Sequence, residues 1–285
     1  MTVLNSTSGP LAGSRRETIR VAGPSGREVP IDVVGLGQGP TTVFLHGLVG
    51  LNAHWEGVVG RVASRLRCVL VQVPLLDLRG SDCSVHAVSE MTAKALDAVA
   101  DQLGGPAVMV GNSFGGHVAC RLGIERPDLV RGLVLTGSSG LFERPLAETQ
   151  RMREIQIRPS KEWVAEKIGE LFYDRSNIRE GDLERAHAEL NRRGGARAMV
   201  RLSRSARKNN LADDLGEIQA PTLLIWGRED IVTPPEAAQE FLDRLPNARI
   251  EWFDRCGHVP MLEHPDEFAA ALTSFALEQS GNGAG

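Results

Sequence analysis

The sequence predicts an α/β fold: a mostly parallel, doubly wound, eight-stranded sheet with helices on both faces and one helical insertion. Three observations predict it. Short apolar runs recur with continuous rather than alternating hydrophobicity, as strands buried on both faces do. Helical patterns separate those runs, which implies right-handed crossovers between parallel strands. The alternation is broken once, from Leu141 to about Asp214, by a charged stretch with helical periodicity.

Taken in order, residues 17–22 and 28–35 read as a hairpin or two successive edge strands divided by the turn Gly23-Pro24-Ser25-Gly26. Buried-strand runs follow at 43–45, 69–73, 108–110 and 133–135, with helical patterns at about 55–66, 89–103 and 115–126 between them. The interrupting stretch holds 13 of the 28 arginines, three lysines and 13 acids, a surplus of three positive charges. Segments such as 162–168 carry apolar residues at helical spacing, and the stretch reads as a cap over 141–214. Strands resume at 222–226 and 250–253, and an amphipathic helix from about 266 to 278 closes the pattern. The expected organisation is a core of 16–140 and 215–278, a disordered leader at 1–15 and a frayed tail at 279–285.

Composition excludes several function classes. Across 285 residues, 32 basic and 36 acidic side chains leave a formal charge of -4, so there is no broad basic field for nucleic-acid phosphates. The apolar runs are strand-sized, far below the roughly 20 residues a spanning helix needs, and Met1 to Arg16 contain no apolar signal core. Neither nucleic acid nor membrane is therefore expected as a partner. Cysteines 68, 83, 120 and 256 form no Cys-x-x-Cys pair and have no histidine at ligand spacing, which argues against zinc and against a disulfide framework. Cys68 and Cys120 read as small buried hydrophobes of a reducing, cytoplasmic compartment.

The segment from Val108 to His117 runs a strand into a helix through Gly111-Asn112-Ser113-Phe114-Gly115. A serine on so tight a turn needs neighbours without a β-carbon, and the turn lifts its hydroxyl above the sheet edge. The following helix offers its first amides to the same place, so the Phe114 N–H is a candidate oxyanion donor. A serine hydroxyl needs a base, and the base needs an orienting acid. His258, in Gly257-His258-Val259-Pro260, follows the last strand, and Asp230, in Gly227-Arg228-Glu229-Asp230, follows the strand before it. Both loops leave the carboxyl rim of the sheet, where ligand sites of open α/β sheets form. Glu229 is the rival acid, and Asp230 also suits a capping role. Among the other histidines, His187 falls in the insertion, His86 in a polar loop and His264 in a turn or capping position. His46-Gly47-Leu48 leaves the same rim, which makes the Leu48 N–H a second oxyanion donor and gives His46 a structural hydrogen bond within its loop. Trp55, beside His54, either walls the pocket or staples the next helix.

With these residues in hand, nearly the whole chain outside its tails and insertion resembles the α/β-hydrolase fold family. The resemblance rests on the His-Gly loop, Gly-Asn-Ser-Phe-Gly-Gly, Trp-Gly-Arg-Glu-Asp-Ile-Val-Thr-Pro and Cys-Gly-His-Val-Pro-Met-Leu-Glu-His-Pro. Its nearest flavour is the meta-cleavage product hydrolases with their esterase and haloperoxidase-like relatives. The chain departs from the carbon-carbon hydrolases where they carry His-Gly-x-Gly-Pro-Gly, and where tryptophan follows their catalytic histidine and Val259 stands here. Their cap arginine has several counterparts, including Arg192 and Arg193, and no motif selects one. The resemblance implies a serine hydrolase with Ser113, Asp230 and His258 as its triad, acting on a small carboxylic ester or similar activated carbonyl through an acyl-enzyme. The alternatives are a carbon-carbon bond hydrolase and a ligand receptor on the same fold. No metal or organic cofactor is called for.

Overall fold

A computed structural model of the chain describes residue 11 and residues 13–141, 159–179 and 181–281. Eight strands form one sheet: β1 Arg15–Ala22, β2 Glu28–Gly37, β3 Thr41–Leu45, β4 Arg67–Gln72, β5 Ala107–Asn112, β6 Val130–Thr136, β7 Thr222–Gly227 and β8 Ala248–Phe253. Their order is β1-β2-β4-β3-β5-β6-β7-β8. β1 and β2 form the hairpin, in register from Arg15 opposite Gly35 to Ala22 opposite Glu28. β2 is antiparallel to β4, and every pairing from β4 to β8 is parallel.

Burial follows position in the sheet. Every residue of β3, β5 and β7 is buried, whereas edge strands β1 and β8 are mostly half-buried or exposed. Within a central strand, alternate side chains serve two separate cores, as a period of two requires. Val43, Leu45, Met109, Leu133 and Trp226 face one, with α2 Val85–Ala98, α4 Phe114–Glu125 and α8 Pro235–Arg244 packed against it. Phe44, Val108, Val110, Val134 and Ile225 face the other, covered by α1 Glu56–Val62 and α10 Pro265–Gly281. Trp55 joins that second core: it is fully buried, with ring centroids 5.3 Å from Phe44 and 5.9 Å from Phe268. It therefore staples α1 to the sheet.

Among the described residues the remaining α-helices are α3 Ala100–Leu103, α9 Pro260–Glu263 and, between β6 and β7, α5 Lys161–Gly169, α6 Asp182–Asn191 and α7 Gly195–Lys208. Leu211 N–H donates to the Gly140 carbonyl at 2.7 Å, tying the two ends of this helical insert together.

Two boundaries differ from the sequence reading for a clear physical reason. α2 starts at Val85 rather than near 89 because Ser84 caps it, its hydroxyl accepting from the Ala87 N–H. His86 consequently lies on a helix rather than in a polar loop, with Nδ1 3.2 Å from a Glu125 carboxylate oxygen. α10 continues to Gly281, into the segment expected to fray, because Phe268, Leu272 and Phe275 anchor it in the core. The expected leader falls mostly outside the described residues, as do 142–158 of the expected cap and 282–285 of the tail; Leu11 is buried. All four cysteines are free and buried. Burial pushes the Cys68 and Cys120 thiols up to about 12, which makes them inert. Among the described residues no helix is long and apolar enough to cross a membrane.

Candidate active site

The strand order reverses at β3, which has β4 on one side and β5 on the other. Loops leaving the carboxyl ends of β3 and β5 therefore diverge and leave a crevice, where open α/β sheets place their sites. Residues 46–50 and Ser113 leave those two strand ends. A cavity of about 650 Å³ opens there, bordered by Leu48, Ser113, Phe114 and His258 below and by Trp163 and Arg185 of the helical insert above.

Ser113 has φ +55° and ψ −118°, a conformation that L-residues avoid. The surroundings impose it. Its N–H donates to the Thr136 carbonyl at 3.0 Å, and its own carbonyl accepts from Gly116, His117 and Ser139 N–H groups at 3.0, 3.2 and 3.1 Å. The flanking glycines are there for space. A Cβ on Gly115 would stand 2.3 Å from the Leu45 carbonyl oxygen, and one on Gly111 would stand 2.4 Å from the Gly115 carbonyl oxygen. The β3 and β5 rims thus meet closely enough for Ser113 to lie beside Gly47, whose own added Cβ would come 3.3 Å from the Ser113 Cβ.

His258 and Asp230 meet as the sequence order requires. His258 Nδ1–H donates to Asp230 Oδ2 at 2.9 Å, with both side chains almost wholly buried. Asp230 is held in turn by N–H donation from Val232 and Thr233 to Oδ1, at 2.8 and 2.9 Å, and by the Thr233 hydroxyl to Oδ2 at 2.8 Å. A carboxylate only accepts, so it fixes the Nδ1–H tautomer and leaves Nε2 with a free lone pair. Asp230 therefore does cap its own loop, and it holds the imidazole with its second oxygen. The rival Glu229 is turned elsewhere, accepting from the Cys256 N–H at 2.9 Å.

Two supporting residues were quoted in the sequence motifs without a role. Thr233 also places its hydroxyl 3.1 Å from His258 Nδ1, and Asn112 Nδ2 donates to the carbonyls of His258 and Thr136 at 3.0 and 3.2 Å. Their side chains bridge loops 24 or more positions apart in sequence, which no local pattern announces. His46 takes the structural place expected of it: Nδ1–H donates to the Gly47 carbonyl at 2.8 Å and Nε2 accepts from Gln72 at 2.9 Å. Burial lowers its pKa to about 4, so the ring is neutral at physiological pH. His117, on α4, is likewise buried and lowered to about 4, with Nε2–H donating to Asn209 at 2.9 Å. His264 bonds the Arg255 carbonyl at 3.1 Å. Arg192 pairs with Asp77 at 2.7 Å, and among the described residues the arginines that border the cavity are Arg185 and Arg207. His54 borders it too, with burial lowering its pKa and Asp182 opposing that shift. Among the described residues no group of three or more His, Cys, Asp or Glu side chains is arranged to hold a metal.

Comparison with known proteins agrees with this architecture. The sequence profile of the alpha/beta hydrolase family matches residues 42–271. A pimeloyl-[acyl-carrier protein] methyl ester esterase of Nitrosomonas europaea is 30% identical over 251 residues, covering 85% of this chain and 98% of that protein. A 2-hydroxy-6-oxononadienedioate/2-hydroxy-6-oxononatrienedioate hydrolase of Cupriavidus pinatubonensis is 31% identical, covering 82% of this chain and 86% of its own. Among solved structures, a meta-cleavage product hydrolase from Pseudomonas fluorescens superposes with a TM-score of 0.75 at 21% identity, covering 91% of this chain and 97% of that one. An esterase from Thermogutta terrifontis gives a TM-score of 0.76 at 19% identity, covering 92% and 99%. At those identities the structures speak for the fold alone.

Proposed function

Because the chain belongs to the α/β-hydrolase family, we propose that it is a serine hydrolase of small carboxylic esters or similarly activated carbonyls, with Ser113 as nucleophile, His258 as base and Asp230 as its orienting acid. The observation that carries this reading is the strained Ser113 on the same cavity as a histidine whose Nδ1–H is bound to a buried carboxylate at 2.9 Å.

In the proposed reaction His258 Nε2 takes the Ser113 Oγ proton while Oγ bonds to the substrate carbonyl carbon, and the carbonyl electron pair moves onto oxygen. The Leu48 and Phe114 amides hold that oxyanion, each worth about 3 kcal/mol when preorganised. Collapse of the intermediate expels the alcohol, which takes the proton from His258 Nε2. Water then repeats the attack on the acyl-enzyme through the same base, releasing the acid and restoring Ser113. The helical insert serves as a cap that closes the cavity above the reacting carbonyl, and small molecules are its substrates.

The test is hydrolysis of a panel of short and long nitrophenyl esters by wild type and S113A, with fluorophosphonate labelling as the parallel readout. Wild type labels at Ser113, and S113A loses activity by several orders of magnitude, about 10³-fold or more, with its fold unchanged. Retention of wild-type turnover by S113A overturns the assignment. The second reading, a carbon-carbon bond hydrolase in which the same groups assist ketonisation before cleavage, is favoured by the relative from Cupriavidus pinatubonensis. A coloured dienolate ring-fission product bleached faster than the esters are hydrolysed would select it.

A further inference from the structure

The proposed Leu48 donor sits on a turn that is held from two directions. From the sheet side, Gly50 N–H closes the turn onto the Gly47 carbonyl at 3.0 Å, and His46 Nδ1–H donates to that same oxygen at 2.8 Å. From the opposite side the hold comes from the helical insert: Arg185 of α6 donates from Nη2 to the Val49 carbonyl at 3.2 Å. The approach to α6 and its first residue grip the following segment as well. Arg179 Nη1 donates to the Ala53 carbonyl at 2.8 Å, and Asp182 Oδ2 lies 3.7 Å from His54 Nε2. The Val49 side chain packs against a small apolar cluster formed by Leu76 with Val164, Ala186 and Leu190 of the insert.

Arg185 is itself held in place. Its Nη1 donates to Glu189 Oε2 at 3.2 Å, Nη2 lies 3.8 Å from Asp182 Oδ1, and the side chain is only 19% exposed. A planar guanidinium hydrogen-bonded to Glu189 through Nη1, with the Asp182 carboxylate nearby, presents Nη2 to the Val49 carbonyl in a fixed direction. The Leu48 N–H shares a peptide plane with the Gly47 carbonyl, which takes both bonds from the sheet side, and the Arg185 bond to the Val49 carbonyl holds the far end of the same turn; the two together oppose a rotation that would swing the Leu48 N–H away from the cavity.

Building on the ester-hydrolase reading, we propose that Arg185 is a positioning residue for the oxyanion hole, so that the helical insert holds the Leu48 amide in its catalytic direction. An amide that must be correctly aimed matters most where charge develops on the carbonyl oxygen, so its loss falls on kcat and leaves KM nearly unchanged.

The experiment measures the rate of Ser113 labelling by a fluorophosphonate, together with kcat and KM on p-nitrophenyl acetate, in wild type, R185M, R185Q, R185K and R204M. Labelling reports the same oxyanion geometry whatever the natural substrate is. R185M and R185Q slow labelling and kcat about 10- to 100-fold, with KM within about threefold, as expected for partial loss of one oxyanion donor. R185K recovers most of the rate because its ammonium still donates to the Val49 carbonyl. R204M, on the exposed face of α7, labels as wild type does. Should R185M not fold, R185Q carries the same test. Wild-type labelling by a folded R185M or R185Q, a loss confined to KM, or no recovery in R185K overturns the proposal while leaving the ester-hydrolase reading in place. A wild type that neither labels nor hydrolyses the ester overturns both.

Discussion

Replacing Ser113 by glycine and by alanine separates the strain at the proposed nucleophile from its chemistry. Both variants lack the hydroxyl and both are inactive under the proposed mechanism, so they differ only in backbone tolerance and one methyl group. Alanine keeps the penalty of φ +55° and ψ −118°, a conformation that costs about 1–3 kcal/mol for a residue with a β-carbon. Glycine removes that penalty, loses about 0.5–1 kcal/mol through its freer unfolded chain and gives up a fraction of the ~0.8 kcal/mol of a buried methyl. The balance favours S113G over S113A by about 1 kcal/mol, which in a protein this long raises Tm by about 2–4 °C. Differential scanning calorimetry on the two inactive proteins measures it directly. If S113G melts at or below S113A, the strain assigned to this turn is not stored in the backbone and the reasoning fails.

Other predictions concern the groups around that serine. D230N keeps the shape but lets an amide face His258 Nδ1, favouring the wrong tautomer, and lowers kcat about 10³- to 10⁴-fold in ester hydrolysis with KM little changed. G137A places a methyl at φ +51°, 2.6 Å from His258 Nδ1; steady-state assays should show activity falling at least about 100-fold as the imidazole is displaced from its catalytic position. His46 and His117, each lowered from 6.5 to about 4, stay neutral in the fold while the unfolded chain takes up protons below about pH 6.5. Their contribution is complete above that pH and is lost as pH falls towards 4, about 2 kcal/mol each by pH 5. Urea melts between pH 7 and 5 should show this decline, with H117Q about half as steep; a flat profile would mean that these rings are not held neutral by burial.

Much of this molecule was legible before its structure. Continuous apolar runs announced β3, β5 and β7 because strands covered on both faces have no solvent side to mark with polar residues. Glycines at 111, 115 and 116 announced the serine turn because only missing β-carbons let the start of α4 lie so close to β5, to the end of β3 and to Ser138. The loops bearing Asp230 and His258 were readable because parallel strands put their carboxyl ends on one rim. What escaped was non-local or ambiguous. Thr233, Asn112 and Arg185 act through side-chain bonds across loops distant in sequence, and Trp55 suited either a pocket wall or a core staple until its burial between Phe44 and Phe268 was seen.

Local periodicity and sterics within a few residues were thus enough to announce the strand and helix alternation and to single out Ser113, Asp230 and His258 as the groups proposed to react. The folded arrangement alone shows which oxygen of Asp230 faces His258, which arginine of the insert reaches the turn at 46–50 and how large a cavity is left between them. Those outcomes depend on packing between segments far apart in the chain, where small displacements decide whether a hydrogen bond exists, and no pattern within one segment carries that information.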